Sequence, residues 1–324
     1  MRFLHHRGNN ITLLHCTFLL LDEDPAEGEA ILKIIFLTDL DGTLLNFDNF
    51  SFEAIRADLL EFIKSGIDII PVSSKTRPEM IKFCSALGVD LPFIYENGAG
   101  FCSDAKTSNQ NDVILGRPVD ELMQIWDASI PVELKADCKF LSAMEIEECS
   151  ALLGLSGEPL ALALARSYTA LLKFTGDKTA LTLLNIYVER AGLTLQKGGR
   201  VFCLSGLHNK ASFINRFRQK ISGQKIPSQK IPGQKISGQK ISGQRIMDRP
   251  ENIIIAFGDG NNDIPMLNAA DCACIIPRPN GEHLPPDKIT TKKIIASQPA
   301  PLGWIETAEA ALATMSNIGD IHYG

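Results

Sequence analysis

The sequence predicts an α/β fold, a doubly wound parallel sheet interrupted by an inserted α+β cap. Three apolar stretches support the sheet, at 34–37, 67–72 and 253–257, and hydroxyl or carboxylate residues follow closely after each. Ligands of open α/β sheets bind where the parallel strands finish. We therefore expect the three polar ends to meet at one edge of the sheet.

Helices between these strands should cover both faces of the sheet. We expect an amphipathic helix over 51–66, which is followed at once by the strand at 67–72. Pro78 is expected to open the next helix, because a missing N–H costs nothing at a helix start. A further short strand is expected at 93–95. This alternation of strand and helix predicts a parallel sheet with helices on both sides.

The middle of the chain has a different pattern. A strand is predicted at 170–174, a helix at 177–191 and a hairpin over 193–204 that turns at Gly198-Gly199. This βαββ unit would form a cap, and caps of this kind close over a site and exclude water. The helix is expected to bury an apolar stripe made of Ala180, Leu183, Leu184, Tyr187 and Val188.

These patterns divide the chain into an N-terminal extension at 1–30, a first core part at 31–108, a cap at 109–206 and a second core part at 207–324. Residues 219–248 repeat a five-residue unit of the type Gln-Lys-Ile-Ser-Gly. Each unit has little more than one apolar residue, so the repeat cannot form a packed core. We favour a passive surface loop, and the alternative is a basic tether for an anionic surface or polymer.

Composition restricts the class of protein. The 324 residues are 45% hydrophobic and 22% charged, as in ordinary globular proteins, and they suffice for two domains. A formal net charge of −6 argues against a general nucleic-acid binder. No apolar run approaches the roughly 18 residues of a membrane-spanning helix. The eight cysteines lack CxxC spacing, which disfavours a metal site or a disulfide framework and favours a reducing cytoplasm.

The first thirty residues loosely imitate a signal peptide. Basic residues precede an apolar stretch at 11–21, but polar residues interrupt it and no clear cleavage site follows. We favour a short extension, or a start codon upstream of the true one, over secretion.

The carboxylates near the strand ends indicate a metal site. Asp39 and Asp41 are two residues apart, and side chains with that spacing point the same way in an extended segment. They would repel each other unless a cation lay between them. Asp259 and Asp263 would join them at the same sheet edge, and a hard cation such as Mg²⁺ would relieve the repulsion.

Four motifs then resemble those of the haloacid dehalogenase superfamily. They are DLDGTLL at 39–45, the hydroxyl after the second strand, Lys210, and GDGNND at 258–263. Their order resembles members with a Rossmann-like core and a C2-type α/β cap. More narrowly, the chain is similar to the mannosyl-3-phosphoglycerate phosphatases, through PVSSKTRPEM at 71–80, ENGAG at 96–100, GGRVFCL at 198–204 and RPNG with PAPLGW within 278–304.

The resemblance implies a division of catalytic roles. Asp39 would be the nucleophile that forms an aspartyl-phosphate, and Asp41 the general acid and base. Lys210 would offset charge on the phosphoryl group, although a lysine at a helix start can also be merely solvated. Mg²⁺ would be held by Asp39, Asp259 and the main-chain carbonyl of Asp41. Either Asn262 or Asp263 would ligate it directly or hold its waters.

The resemblance also implies residues that bind the substrate. Ser73 would present its hydroxyl to a phosphoryl oxygen, with Ser74 as the alternative in register. Arg166 and Arg200 lie in the cap segment and could meet a carboxylate or a second anionic group. The cap departs from the family pattern: the acidic residue and proline usual after the arginine are missing at 167–171, and Cys203 stands where a histidine is usual.

The expected activity is a Mg²⁺-dependent phosphomonoesterase that converts mannosyl-3-phosphoglycerate to mannosylglycerate and phosphate. By analogy, the product would be a compatible solute made in the cytoplasm. One alternative keeps the chemistry and changes the substrate to glucosyl-3-phosphoglycerate or another sugar phosphate. The other is a non-catalytic protein that binds a phosphorylated metabolite. A small phosphorylated sugar is the expected partner, without nucleic acid or membrane, and the oligomeric state is left open.

Overall fold

The computed structural model describes residues 33–106, 108–218 and 252–319, without the side chains of 316–319. The predictions for the extension 1–30 and the repeat 219–248 lie outside the described residues. Among the helices that are described, none is both long enough and apolar enough to cross a bilayer.

The secondary structure elements alternate along much of the chain. The strands are β1 (Ile34–Thr38), β2 (Asp68–Pro71), β3 (Phe93–Tyr95), β4 (Gly100–Cys102), β5 (Val113–Ile114), β6 (Cys138–Phe140), β7 (Thr169–Phe174), β8 (Thr194–Lys197), β9 (Phe202–Ser205), β10 (Ile253–Gly258), β11 (Cys272–Ile275) and β12 (Lys293–Ile295). The helices are α1 (Arg56–Lys64), α2 (Arg77–Leu87), α3 (Val119–Ser129), α4 (Val132–Lys135), α5 (Ile146–Leu153), α6 (Gly157–Leu164), α7 (Lys178–Arg190), α8 (Ile214–Arg218), α9 (Ile264–Ala269) and α10 (Leu302–Gly319).

The central sheet has the strand order β12-β11-β10-β1-β2, and all of its neighbouring strands are parallel. Successive side chains of β1 point to opposite faces. Phe36 packs with Phe62 of α1 and Trp304 of α10 on one face. Leu37 lies in a second cluster with Ile214 of α8 and side chains of α9. Helices therefore cover both faces, and the predicted doubly wound α/β fold is confirmed.

The chain beyond β2 departs from the predicted parallel pattern. β3 pairs antiparallel with β4, and β4 with β5, in a separate three-stranded sheet. A single parallel bridge between Val72 and Ile94 links it to the end of β2. The strand expected at 93–95 exists, but its parallel pairing is limited to this bridge and its main partner is the antiparallel strand β4. The connection from β3 to β4 is only four residues long, and a short turn joins antiparallel strands, whereas parallel strands need a long crossover.

The predicted helix at 51–66 is also divided. A short 3-10 turn at Glu53–Ile55 precedes α1, because the backbone of Ile55 leaves the helical region at φ −121° and its side chain is buried in the core. The next helix begins one residue before Pro78. Thr76 caps it, since its hydroxyl accepts a hydrogen bond from the main-chain N–H of Glu79, whose carboxylate accepts one from Thr76 in return.

The cap has its own antiparallel sheet with the order β6-β7-β9-β8. The predicted βαββ unit corresponds to β7, α7, β8 and β9. Leu184 and Val188 of α7 are buried in a cluster with residues of α3 and of this sheet. The expected stripe was too wide, because Leu183 is 45% exposed and Tyr187 36% exposed. The sheet covers only one narrow face of α7. The cluster supports a separate cap, for which 109–206 stays the proposed extent.

Trp304 of α10 supports the end of β1. Its Nε1–H donates a hydrogen bond to the hydroxyl of Thr38 over 2.9 Å, and that hydroxyl donates to the carbonyl of Asp39 over 2.7 Å. The indole is fully buried and packs against Phe257, with ring centroids 4.9 Å apart. The C-terminal helix therefore fixes the backbone at the point where the first carboxylate emerges.

The replacement Trp304→Ala should lower the free energy of unfolding by about 3–5 kcal/mol, because it opens a large cavity below the sheet. Trp304→Phe should cost less, since it keeps an aromatic ring and loses the hydrogen bond to Thr38. Urea unfolding measures both. Leu302→Ala in the same helix is the control, because Leu302 is half exposed and its loss should matter little. Equal destabilisation by the alanine variants at 302 and 304 would contradict this account of the core.

Candidate active site

Asp39 emerges at the carboxyl end of β1, beside the end of β10. The main-chain N–H of Asp39 donates to the carbonyl of Phe257 over 3.0 Å, so the strand pairing continues to this residue. Its side chain is buried, and Oδ1 lies 2.6 Å from Nζ of Lys210. The neighbouring strand β10 places Asp259 at the same sheet edge. The parallel register of β1 and β10 thus brings together carboxylates that are 220 positions apart in the sequence.

Lys210 is a fully buried cation between two carboxylates. It lies in the turn before α8, and its Nζ is 2.6 Å from both Asp39 Oδ1 and Asp263 Oδ1. The other oxygen of Asp263, Oδ2, accepts hydrogen bonds from the main-chain N–H groups of Asp259 and Gly260. Both oxygens of Asp263 are therefore engaged. Asp263 holds Lys210 and the turn that carries Asp259.

Asp39, Asp259 and Asp263 form a group that fits a metal ion. One carboxylate oxygen of each lies within 4.8 Å of the others. Three carboxylates face one buried ammonium, and the half-exposed guanidinium of Arg278 lies 3.8 Å from Asp259 Oδ2, so negative charge is in excess when all three carboxylates are ionised. Such an excess in a buried site is relieved by a divalent cation with a preference for oxygen ligands. The structure brings these three acidic residues together at the sheet edge, and their role as metal ligands stays a prediction.

The pKa values reflect the same imbalance. The pKa of Asp39 is raised well above its ordinary value by burial and by the charge of Asp263, against the opposing effect of Lys210. Burial and Asp263 also raise the pKa of Asp259 to about 6. Burial alone would lower the pKa of Lys210, but the charges of Asp263 and Asp39 raise it instead. Without a cation, ionisation of Asp39 and Asp259 is therefore less favourable than it is in water.

The side chain of Asp41 has a different partner from that of Asp39. Its Oδ2 lies 2.8 Å from Nζ of Lys75, whose ammonium also stands over the ring of Phe50. Its Oδ1 is buried and has no hydrogen-bond partner among the described residues. The expectation from extended geometry fails here because β1 ends at Thr38 and Asp41 lies in the following turn. The carboxylate of Asp41 is not part of the three-carboxylate group.

Lys75 was not among the predicted site residues. It follows the two serines after β2, in a run that the sequence shows as hydroxyls followed by cations. Burial would lower the pKa of Lys75, but the charges of Asp41 and Glu79 raise it above its ordinary value. The available signal was a lysine shortly after a strand end, behind two hydroxyl residues, but the sequence could not show that its partner is Asp41.

The two serines differ in their surroundings. Ser73 is 1% exposed, and its main chain donates to the carbonyl of Ile94 and accepts from the N–H of Asn97. Its hydroxyl oxygen accepts a hydrogen bond from the N–H of Lys75 over 3.2 Å, which leaves the O–H free to donate. Ser74 is partly exposed, and its carbonyl accepts from Arg166. Burial and fixed main chain favour Ser73 as the phosphate-binding hydroxyl, which stays a prediction.

The loop Glu96-Asn97-Gly98 packs on the same site. All three residues have left-handed backbones, with φ of +47°, +57° and +96°. A Cβ at Gly98 would lie 1.9 Å from the carbonyl oxygen of Asn209, so only glycine allows this approach. Asn262 donates a hydrogen bond from Nδ2 to Oδ1 of Asn97 over 3.3 Å. The loop therefore contacts both the segment of Lys210 and the GDGNND turn.

The two predicted cap arginines are placed differently. Arg166 reaches the core, where Nη1 donates to the carbonyl of Ser74 over 3.2 Å and to the hydroxyl of Thr169 over 2.9 Å. Its Nε is buried and lacks a partner within the described ranges. Arg200 lies in the turn of the β8–β9 hairpin and donates to the carbonyl of Leu153 within the cap. The structure thus brings Arg166 to Ser74 in the turn after β2, whereas among the described residues Arg200 makes no hydrogen bond or ion pair with the core.

Comparison with known proteins agrees with this geometry. Residues 36–129 match the family model described as haloacid dehalogenase-like hydrolase. Over 285 residues the chain is 29% identical to a glucosyl-3-phosphoglycerate/mannosyl-3-phosphoglycerate phosphatase of Persephonella marina. The alignment covers 85% of this chain and 95% of that protein. A protein of the same name from Methanococcoides burtonii is 26% identical, with 89% of this chain and all of that one covered.

A solved structure supports the fold. A phosphatase of the haloalkanoate enzyme superfamily from Bacteroides thetaiotaomicron superposes with a TM-score of 0.52 at 18% identity, over 89% of this chain and 97% of that one. Residues 36–129 are thus similar to the haloacid dehalogenase-like hydrolases, and the two relatives that match most of the chain are named as phosphatases. These matches confirm the resemblance inferred from the motifs and identify the protein as a phosphoric monoester hydrolase.

Replacement of Asp259 by Asn should stabilise the metal-free protein at pH 7.5, on the order of 2 kcal/mol. The raised pKa of Asp259 means that the folded protein holds this proton to higher pH than the unfolded chain does. Its contribution to stability is therefore present below about pH 4 and is lost as the pH rises towards 6. Because asparagine does not ionise, Asp259→Asn should reduce the loss of stability between pH 4 and pH 7.5. Urea unfolding in EDTA at pH 4.5 and 7.5 measures it.

Asp41→Asn is the control for this prediction, because Asp41 lies outside the three-carboxylate group. It should show no comparable gain at pH 7.5. Added Mg²⁺ should stabilise the wild type and the Asp41→Asn variant, whereas Asp259→Asn should lose the response. Destabilisation of metal-free Asp259→Asn at pH 7.5 would contradict the charge imbalance.

Proposed function

We propose that the chain hydrolyses glycosyl-3-phosphoglycerates through an aspartyl-phosphate on Asp39. The observation that carries the proposal is the buried contact of Asp39 Oδ1 with Lys210, beside two further carboxylates. A carboxylate that is buried, fixed through one oxygen and adjacent to a cation site is suited to attack phosphorus with its other oxygen. The names of the two relatives supply the substrate class.

The first half-reaction transfers the phosphoryl group to the protein. Oδ2 of Asp39 attacks phosphorus, the new O–P bond forms, and the bond from phosphorus to the leaving oxygen breaks. Lys210 keeps Oδ1 engaged and sets the rotation of the carboxylate. Its ammonium also offsets negative charge on the phosphoryl group, the effect that dominates catalysis of this transfer. Asp263 holds Lys210 in place through the second contact.

Asp41 serves as the acid and then the base. Its proton passes to the leaving alkoxide in the first half-reaction, and it removes a proton from the attacking water in the second. The hydrolysis releases phosphate and restores the carboxylate of Asp39. Oδ2 of Asp41 is fixed by Lys75, and Oδ1, which is buried without a partner in the described part of the chain, is the oxygen suited to proton transfer.

The carboxylates of Asp39 and Asp259 and the main-chain carbonyl of Asp41 would hold Mg²⁺. When bound, Mg²⁺ supplies positive charge that neutralises the carboxylates and the phosphoryl oxygens. Asp263 supports this site because its Oδ1 binds Lys210 and its Oδ2 accepts hydrogen bonds from the main-chain N–H groups of Asp259 and Gly260. The amide oxygen of Asn262 remains for a water or the ion itself.

Ser73 donates its hydroxyl to a phosphoryl oxygen, and Arg166 offers Nε–H to an anionic group of the substrate. Mannosyl-3-phosphoglycerate is the preferred substrate and glucosyl-3-phosphoglycerate the alternative, since the relatives are named for both. We place the reaction in the cytoplasm. The cysteines in the described ranges are free thiols, which is in keeping with a reducing compartment.

Phosphate release from a panel of substrates tests this function. Purified protein with Mg²⁺ should release phosphate from mannosyl- or glucosyl-3-phosphoglycerate, and EDTA should stop it. Asp39→Asn should lower kcat by at least a thousandfold, because it removes the nucleophile but keeps the size of the side chain. Turnover of simple sugar phosphates alone would contradict the substrate. No turnover of any phosphate ester would favour a binding protein, and an active Asp39→Asn would refute the nucleophile.

The serine register gives a matched pair of variants. Ser73→Ala should lower kcat/KM by about a hundredfold, because it removes one donor to the phosphoryl oxygen. Ser74→Ala should have little effect, since the recorded contact of Ser74 with Arg166 is made by its carbonyl. Steady-state phosphate release measures both. A larger loss in Ser74→Ala than in Ser73→Ala would reverse the assignment.

A further inference from the structure

The carboxylate of Glu96 is buried between the core and the cap. Glu96 follows β3, has a left-handed backbone and is 1% exposed. Its main-chain N–H donates to the carbonyl of Lys75 over 2.8 Å, so the residue is fixed to the turn that follows β2. The chain therefore holds an acidic side chain in a restricted position next to the candidate active site.

The recorded hydrogen bonds to the Glu96 carboxylate come from one short segment of the cap. The main-chain N–H groups of Ser167 and Tyr168 donate to it over 2.9 and 3.0 Å, and the hydroxyl of Thr169 donates over 2.6 Å. No ion pair is recorded for this carboxylate within the described residues. Buried carboxylates need such donors, and here donors more than 70 positions away in the sequence provide them.

The same cap segment carries Arg166. The hydroxyl of Thr169 donates to Glu96 and accepts from Nη1 of Arg166, and Nη1 also donates to the carbonyl of Ser74. A continuous chain of hydrogen bonds thus joins Glu96 to Arg166 and to the turn at Ser73-Ser74, here called the serine turn. The unpartnered Nε–H of Arg166 remains for a ligand.

We propose that Glu96 is a positioning residue that clamps segment 166–169 of the cap onto the core and so sets the guanidinium of Arg166 beside the serine turn. The clamp rests on geometry alone, and its consequence for substrate selection rests on the proposed function. Substrates that extend beyond the phosphate depend on the clamp, whereas a small phosphate ester that needs only the core carboxylates does not.

A glutamate is required because three donors converge on its two oxygens. Glu96→Gln keeps the size of the side chain but turns an NH₂ group towards donors, so at least one of the three contacts is lost. Thr169→Val removes one contact and keeps the shape of the side chain. The control is Glu158→Gln, which removes the exposed ion pair of Glu158 in α6 with Lys82 in α2, a different contact between the cap and the core.

Hydrogen exchange of the full chain, followed by mass spectrometry, tests the clamp without turnover. Glu96→Gln should speed exchange of the amides at 167–168 at least tenfold, Thr169→Val should speed it less, and Glu158→Gln should leave it unchanged. Exchange in β1 should stay as in the wild type. Unchanged exchange at 167–168 in Glu96→Gln would overturn the proposal.

Kinetics with two substrates test the consequence for selection. Glu96→Gln should lower kcat/KM for the glycosyl-3-phosphoglycerate at least thirtyfold and for p-nitrophenyl phosphate less than threefold. A merely structural role predicts that both fall together with the thermal midpoint, and that result would overturn the positioning role. If the wild type cleaves neither substrate or only the aryl ester, the proposed substrate fails, and the exchange experiment still decides the clamp.

Discussion

The candidate site depends on an excess of buried negative charge at the edge of the central sheet. Asp39, Asp259 and Asp263 converge at the carboxyl edge of the sheet, and Lys210 is the one buried cation recorded among them in the described ranges. Carboxylates in such a place destabilise the protein unless a cation joins them. The surrounding fold holds the three carboxylates together although their burial and repulsion lower the stability of the protein. The indole of Trp304 fixes the end of β1 from below, and the in-register pairing of β1 with β10 keeps the strand ends together.

Much of the fold was predictable because it follows from local patterns. Apolar stretches that end in polar residues mark the parallel strands, and the βαββ pattern marks the cap. The pairing of β3 was not predictable from apolarity alone, since the same three residues serve a parallel or an antiparallel neighbour. The exposed face of α7 with Leu183 and Tyr187 also escaped prediction, because an apolar stripe does not reveal how wide a surface covers it.

The site was predictable in its residue types and less so in its contacts. Motifs predicted roles for Asp39, Lys210 and Asp259, since each role requires a residue of fixed chemistry at a fixed place, and these roles stay predictions. The pairing of Lys75 with Asp41 and the clamp by Glu96 depend on tertiary placement. Sequence spacing also suggested that Asp39 and Asp41 act side by side, whereas the turn after β1 gives each its own cation.

The location of a bound cation tests the central claim most directly. Crystals grown with Mn²⁺ in place of Mg²⁺ would reveal the ion by its anomalous scattering. This account predicts one peak at about 2.0–2.5 Å from carboxylate oxygens of both Asp39 and Asp259, with Lys210 still bridging Asp39 and Asp263. A cluster that stays free of the ion at saturating Mn²⁺, or a peak bound elsewhere, would contradict it.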